Sequence, residues 1–448
     1  MKNQRQGISR RSFIAGVAGS SLMMGMGSLV SGCSSEQASD ALAAGDLSTV
    51  FSPNIWFEIN GAGEVLINIV RAEMGQHVGT SLAQIIADEL GADWSKVSFK
   101  HVDTDPKWGV MVTGGSWSVH QSFTQLSQAG AAGRTLLIDA AAKILDVAPD
   151  TCTAENGVVT SGAQTVSFAD IVTRGDFSRV FSEEELAAMP VKTAAQRNVI
   201  GQNLQNRDVE AKSQGDAVYG LDTELPGMAY AMPLLPPTRY GSRVVAIDDS
   251  AAKSIAGYIG AVQINDPTQT VQGCVVVAAE TMPAALKAAQ AVSVEWVPGP
   301  TALVTEADIL AEGERLAADP EQGALFVNEG DVLAAKAQAS VALSATYTTS
   351  TALHFTMEPQ NALVEFDSEG RCHIHAGNQW QSLILPVLAQ ALEMPETDIV
   401  IHQYYLGGGY GRRLFGDQMI PAALAARSLG RPVKLIFDRA SDSRFDCV

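Results

Sequence analysis

The chain has 448 residues, 46% of them hydrophobic, with 49 acidic against 30 basic side chains and a formal charge of −19. That length predicts about two to four domains and ample apolar material for packed cores. So acidic a surface repels phosphate backbones, which excludes nucleic acid as a partner, and the five cysteines contain no Cys-x-x-Cys pair, so no zinc or iron–sulfur signature is present.

Ser9-Arg10-Arg11-Ser12-Phe13-Ile14 opens a charge-free apolar run that reaches Val30 and is followed by Ser31-Gly32-Cys33. Paired arginines before such a run read as a twin-arginine export signal. Small residues before Cys33 read as a lipoprotein cleavage site, with Cys33 as the lipid attachment residue. A retained anchor is the alternative, but a spanning helix needs about 20 apolar residues. This run is shorter and is interrupted by Gly16, Gly19, Gly25 and Gly27. The twin-arginine route carries folded proteins, so the signal implies a cofactor inserted before export and a periplasmic, membrane-anchored lipoprotein. Lys2, Arg5, Arg10 and Arg11 belong to residues 1–33, so the remainder is more acidic still.

Residues 34–50 are rich in Ser, Ala, Gly and Asp and read as a tether. From Ile55, Phe57 and Ile59 a strand begins. Asn60-Gly61-Ala62-Gly63 turns it into a second strand at 65–70, giving a hairpin. Leu82, Ile85, Ile86 and Leu90 have helical spacing over 80–90. A strand at 97–100 and a glycine-containing loop precede a long Ala-rich helix over 122–145. Polar residues crowd near 195–212, which places one boundary there, so 51–205 forms the first unit. A second unit, 206–300, carries strands at 227–231, 244–247, 275–279 and 294–296 and a helix over 282–292. An acidic, Ala-rich, helical connector spans 301–340, and a third unit spans 341–448. Loosely alternating strands and helices predict an α+β (mixed α/β) fold. Of the cysteines after Cys33, a disulfide and buried free thiols both stay open.

Gly407-Gly408-Gly409-Tyr410-Gly411 permits close backbone approach, and its N–H groups can cradle a phosphate or an oxo ligand. An ordinary turn between a strand at 400–405 and a helix from Asp417 is the plain alternative. Arg412 and Arg413 either pair with phosphates or are solvated. Thr113-Gly114-Gly115-Ser116 offers hydroxyl and backbone donors, or is a flexible loop. Glu358, beside Pro359 in an apolar stretch, reads either as a base with a raised pKa or, the preferred reading, as a buried carboxylate bonded to backbone amides. His373 and His375 share one strand face without a third ligand, so no metal site is expected. His354 reads as a packed histidine, and His101 and His120 have no partner pattern.

Met357-Glu358-Pro359-Gln360-Asn361-Ala362 and Leu406 to Arg413 resemble the molybdenum-cofactor large subunit of the xanthine dehydrogenase family. The type it resembles is the isoquinoline 1-oxidoreductase beta subunit, also called the membrane-bound aldehyde dehydrogenase type. Met74-Gly75-Gln76, Thr113 to Ser116, the segment from Gly215 to Trp296 and Gly430 to Lys434 agree in order. The resemblance implies that 51–205 contacts the cofactor, that 206–300 is an α/β "hammerhead" domain and that 341–448 begins a molybdopterin-binding domain. It implies molybdopterin cytosine dinucleotide, held by Gln76, Thr113, Gly114, Gly115, Ser116, Gly408, Gly409, Tyr410, Gly411 and Arg412. It implies that Gln379 bonds a molybdenum oxygen, and that an aldehyde or nitrogen heterocycle is hydroxylated with water as oxygen donor. Electrons would leave through a small subunit with two [2Fe–2S] clusters, towards a membrane cytochrome. Tyr410 and Leu414 would line the substrate pocket. Leu414 stands where xanthine-oxidising members carry a glutamate, which favours an apolar small-molecule substrate. Subunits of this type continue for roughly 300 residues beyond the position of Val448, and that part holds the glutamate base. The chain alone is therefore expected to be incompetent: a fragment, the product of an interrupted gene, or half of a split subunit. A non-catalytic exported lipoprotein that keeps the fold is the competing expectation.

Overall fold

The computed structural model describes residues 49–327 and 329–446. The export signal, Cys33, nearly all of the tether and Cys447 lie outside the described residues. Among the described residues, no helix is long and apolar enough to cross a membrane.

The first unit opens with β1 (Val50–Asn54), β2 (Phe57–Asn60), β3 (Val65–Ile69) and β4 (Val97–His101), paired in that order. The expected hairpin is there: Phe57 faces Ile67 and Ile59 faces Val65. Phe57, Ile59, Val65, Ile67 and Ile69 are buried while the residues between them stay half-exposed, so one face of the sheet lies on the core. β3 and β4 run parallel, which demands a crossover. Helix α1 (Val78–Leu90) supplies it. Helix α2 (Trp117–Leu145), about 44 Å long at 1.5 Å per residue, packs along α1. Ala129, Ala132, Ala140 and Ala141 on its buried face let neighbouring elements approach closely. A small sheet of β5 (Thr153–Glu155), β6 (Val158–Ser161) and β7 (Gln164–Ser167) follows. Helices α3 (Phe168–Arg174), α4 (Glu183–Ala187) and α5 (Val209–Gln214) lead out of the unit.

The second and third expected units are joined. Strands β8 (Ala229–Leu234), β10 (Tyr258–Gln263) and β11 (Val275–Ala279) share one seven-stranded sheet with β13 (Asn361–Phe366), β14 (Cys372–Ala376), β15 (Ile399–Gln403) and β16 (Val433–Ile436). The order is β10-β11-β8-β16-β13-β14-β15, and the join is the parallel pair β16–β8, with Val433 opposite Ala229. Every residue of β11 is buried. A strand so apolar is covered on both faces and belongs inside a sheet, but its sequence does not say which strands lie beyond its neighbours. β9 (Arg243–Asp248) and β12 (Ser293–Val297) form a separate ribbon. Helix α6 (Met282–Ala291) packs on β8 and β11.

Among its described residues, the connector carries α7 (Glu306–Ala318), a 3-10 turn at Pro320–Gln322 and α8 (Val332–Gln338). Residues 341–360 carry no regular element. Helix α9 (Gln381–Leu392) lies beside α10 (Met419–Leu429), and α10 covers β13 and β16. The two large units are tied at main-chain level. Thr104 N donates to Ile401 O at 3.1 Å, and Leu406 N donates to Glu73 O at 2.9 Å.

Candidate functional site

A cleft of about 820 Å³ lies where those ties bring the units together. Gln76, the Thr113–Ser116 turn, Gln379, Tyr410, Gly411 and Leu414 all line it. These residues come from segments as far apart in sequence as Gln76 and Leu414, and the fold converges them on one space. Met74, Val78 and Val119 add apolar wall, and Ser81 and Ser118 add hydroxyls. Among the described residues, none that lines the cleft is charged. A second cleft of about 420 Å³, between Leu136 and Arg179 on the first unit, contains none of these residues.

Gln379 is the hinge-pin of the arrangement. It is 3% exposed. Its Nε2 donates to Thr113 O at 2.9 Å, and its Oε1 accepts from Gly411 N at 3.2 Å. Thr113 N donates to Gln379 O at 2.6 Å, and Gln379 N donates to Arg413 O at 2.9 Å. One amide side chain thus joins the Thr113 turn to the glycine loop. An amide nitrogen has two hydrogens, and the bond to Thr113 uses one. Thr113 Oγ1 in turn accepts from Ala72 N at 2.7 Å. Replacing Gln379 by Leu keeps the volume but leaves Thr113 O buried, and Gly411 N half-buried, without these partners. The expected cost is about 2 kcal/mol, read from the urea unfolding midpoint. An unchanged midpoint would show that the bridge contributes nothing to stability.

The glycine loop needs its glycines for space. A Cβ on Gly409 would sit 2.5 Å from Met74 Sδ and 2.7 Å from Gln379 Oε1. Tyr410 takes a positive φ of 56°, lines the cleft and is 74% exposed, so it is no core aromatic. Gly408 and Gly409 lie behind the lining rather than in it. Gln76 bonds locally, with Oε1 accepting from Met74 N and Nε2 donating to Ala72 O.

Arg412 departs from expectation. It is neither solvated nor turned to the cleft. It is 2% exposed and bonded to Asp417 at 2.9 Å, with Asp442 at 3.4 Å and Asp446 at 3.5 Å. Burial alone would lower its pKa, but these carboxylates outweigh burial and raise it. Burial also acts on Asp417, where Arg412 and Arg239 win and hold the carboxyl below its ordinary range. Asp442 goes the other way, because burial dominates. A buried cation with three carboxylates close by has no reason to reach for a phosphate. Arg413 is equally enclosed, bonded to Gly408 O and to both the carbonyl and carboxylate of Glu358.

Glu358 behaves as its sequence context indicates. Its carboxylate accepts from Leu221 N, Asn361 Nδ2, Gly407 N and Arg413. It therefore staples the glycine loop to the sheet. His354 bonds Asp446 at 2.8 Å, and its ring edge would meet a Cβ on Gly411. His373, His402 and His375 stack in one column, flanked by Asp367 and Asp103. Cys152, Cys274 and Cys372 are buried and free, and burial pushes the thiols of Cys274 and Cys372 up to about 12.

Sequence reading missed Glu73, Asp208 and Lys212. Ligand atoms of Glu73, His77 and Asp208 lie within 4.8 Å of one another, and Lys212 Nζ bonds both carboxylates. The available signals were an Asp–Lys pair one helical turn apart and an acid directly before Met74-Gly75-Gln76.

Comparison with known proteins gives the arrangement a lineage. Residues 9–207 and 317–446 each match a molybdopterin cofactor-binding domain. The chain is 47% identical, over 99% of its length, to 57% of a protein named membrane-bound aldehyde dehydrogenase [pyrroloquinoline-quinone] from Gluconacetobacter polyoxogenes. It is 27% identical, over 92% of its length, to 58% of the isoquinoline 1-oxidoreductase subunit beta of Brevundimonas diminuta. Among solved structures, quinoline 2-oxidoreductase from Pseudomonas putida 86 superposes with a TM-score of 0.43 and 21% identity, over 54% of this chain and 35% of that one. The chain spans less than two thirds of the length of the curated relatives it matches. With molybdopterin cofactor-binding domains matching both residues 9–207 and residues 317–446, the chain belongs to the molybdopterin-binding large-subunit family.

Proposed function

We propose that this chain is the cofactor-binding portion of an exported molybdenum hydroxylase that oxidises an aldehyde, with water as the oxygen donor. The observation that carries the reading is the convergence of Gln76, Thr113–Ser116, Gln379 and Tyr410–Leu414 on one cleft free of charged side chains. The donor set suits the group. Gln76 and Gln379 offer amides, and Ser81, Ser116 and Ser118 offer hydroxyls, which match the hydrogen-bonding edges of a neutral pterin. A cleft of about 820 Å³ is of the size that holds a cofactor.

When bound, the molybdenum cofactor supplies the two-electron redox chemistry. This chain's residues bind and orient. Gln379 ties the Thr113 turn to the glycine loop and has an N–H left to aim. Tyr410, Leu414 and Val119 present an apolar surface that excludes water from a neutral substrate. The lining contains no carboxylate or imidazole, so a general base has to come from outside these residues. Oxidation of an aldehyde and water to a carboxylic acid releases two electrons and two protons. The cysteine spacing provides no cluster ligands, so the electrons pass to a partner subunit with [2Fe–2S] clusters and on to a membrane cytochrome. Molybdopterin cytosine dinucleotide is the proposed form, and Cys33 the proposed lipid anchor in the periplasm.

Molybdenum content tests the reading. Protein purified from washed membranes of the native host should carry about one molybdenum per large subunit, the single-site expectation. A metal-free protein containing a quinone would support the cofactor named for the Gluconacetobacter relative instead. A protein with neither would be a binding lipoprotein.

A further inference from the structure

We propose that Glu73 is the positioning residue that sets the spacing between the two walls of the cofactor cleft, an inference that rests on that cleft holding the cofactor. One wall is the Met74–Gln76 loop, and the other is the loop from Leu406 to Gly411. Glu73 is 1% exposed and touches both.

Its carboxylate closes the first wall. Oε1 accepts from Gly75 N at 2.9 Å and from His77 N at 3.1 Å, and Oε2 accepts from Val78 N at 2.9 Å. The last two amides open helix α1, whose N-cap, His77, has a positive φ of 57° and makes no side-chain cap bond. Glu73 therefore does the capping from four residues upstream, where a negative charge is also favoured by the helix dipole. The carbonyl of the same residue holds the second wall, through Leu406 N at 2.9 Å. Met74 then packs against Gly409, where a Cβ would stand 2.5 Å from its sulfur.

The charge is neutralised from the boundary between units. Lys212 Nζ bonds Glu73 Oε1 at 2.7 Å and also bonds Asp208, which in turn holds His77 Nδ1 at 2.7 Å. Burial pushes the Asp208 carboxyl up, but Lys212 and His77 outweigh it and hold the group below its ordinary range. The ammonium fills the space between the carboxylates, so the cluster works as a closed ionic clamp rather than a metal site. A glutamine at position 73 cannot replace it. Whichever way the amide turns, its NH₂ meets a backbone N–H or the ammonium, donor against donor.

The experiment uses the loaded protein purified from its native host, with Glu73→Gln and Lys212→Met made on the chromosome. Three readouts are taken: molybdenum per chain after dialysis, thermal unfolding, and amide exchange at 74–78 and 406–411. Glu73→Gln should retain about tenfold less molybdenum, the low end for losing a supporting partner. Lys212→Met leaves the loop amides bonded and should retain it. In the wild type, the amides of Gly75, His77, Val78 and Leu406 should exchange as one group. Equal molybdenum in Glu73→Gln, an equal loss in Lys212→Met, or independent exchange of Leu406 would each overturn the assignment. The exchange arm stands even if the variant does not accumulate. Wild-type protein without molybdenum would sink the functional reading instead.

Discussion

Arg412→Met should lower stability by about 3–5 kcal/mol, the range for removing one partner of a buried ion cluster. Methionine matches the length of the arginine stem, so the volume lost is small and the effect isolates charge. What remains is Asp417, Asp442 and Asp446 around a position that no longer carries a cation. Arg239 still bonds Asp417 at 2.8 Å, and Arg439 still lies 3.4 Å from Asp442, which keeps the loss from being larger. The pH dependence has a definite sign. In the wild type, the Asp417 carboxyl is held below its unfolded value, so its contribution is present above the ordinary carboxylate range and is lost as pH falls through the lower folded value. In the variant, protonation relieves uncompensated negative charge. The gap between the two proteins should therefore be widest near neutrality and narrow as pH falls through the carboxylate range. Urea unfolding from pH 7 to pH 4 measures it. A gap that is small at pH 7, or that widens on acidification, would refute the account. Arg371→Met, on an exposed pair with Asp367, should change little and serves as the control.

The same arginine shows where reading the sequence stops. Its place in the glycine loop was legible, and so was its proximity to a cofactor motif. Its partners were not, because Asp417, Asp442 and Asp446 reach it only after β16 and the short helix Arg439–Arg444 fold back. Periodic elements were legible for a related reason. The apolar spacing of Leu82, Ile85, Ile86 and Leu90 states a helix and its buried face without reference to anything distant, and the alternation over 55–69 states a half-buried hairpin. Thr153–Ser167 was missed because each strand has only three or four residues, too few for a period to repeat. The seam between β8 and β16 was missed because a strand buried on both faces reads the same whichever neighbour it has. In the cleft, residue types could be recognised but not their bonds. Glu73 is one position from a recognised motif, yet its carboxylate meets the amides of Gly75, His77 and Val78 and the ammonium of Lys212 only once the chain has folded.

Gly407→Ala is the second large effect, and it arises from space alone. Gly407 is not among the glycines with positive φ, so a side chain meets no conformational penalty of its own. The added Cβ, however, would stand 2.3 Å from Glu358 Cβ and 3.2 Å from Glu358 N. Neither atom can swing away, since both belong to or adjoin the backbone. The two residues are also locked together: Glu358 N donates to Gly407 O at 2.9 Å, and Gly407 N donates to Glu358 Oε2 at 2.8 Å. Separating them by the distance a methyl needs breaks both bonds and loosens Arg413, which depends on the same carboxylate. Overpacking of this kind costs about 1–3 kcal/mol, and the buried bonds lost with it put the expected value at the upper end, about 3 kcal/mol. The cleft should suffer more than the fold, because residues 408–411 follow directly and Gly411 carries the bond to Gln379. The expected result is a protein that still unfolds cooperatively, at lower urea, with rapid amide exchange confined to 406–411 and 356–358. Gly313→Ala, on an exposed helix with open space at its Cβ, should instead raise stability slightly. If Gly407→Ala matched Gly313→Ala in both midpoint and exchange, the close contact with Glu358 would not be what fixes the loop.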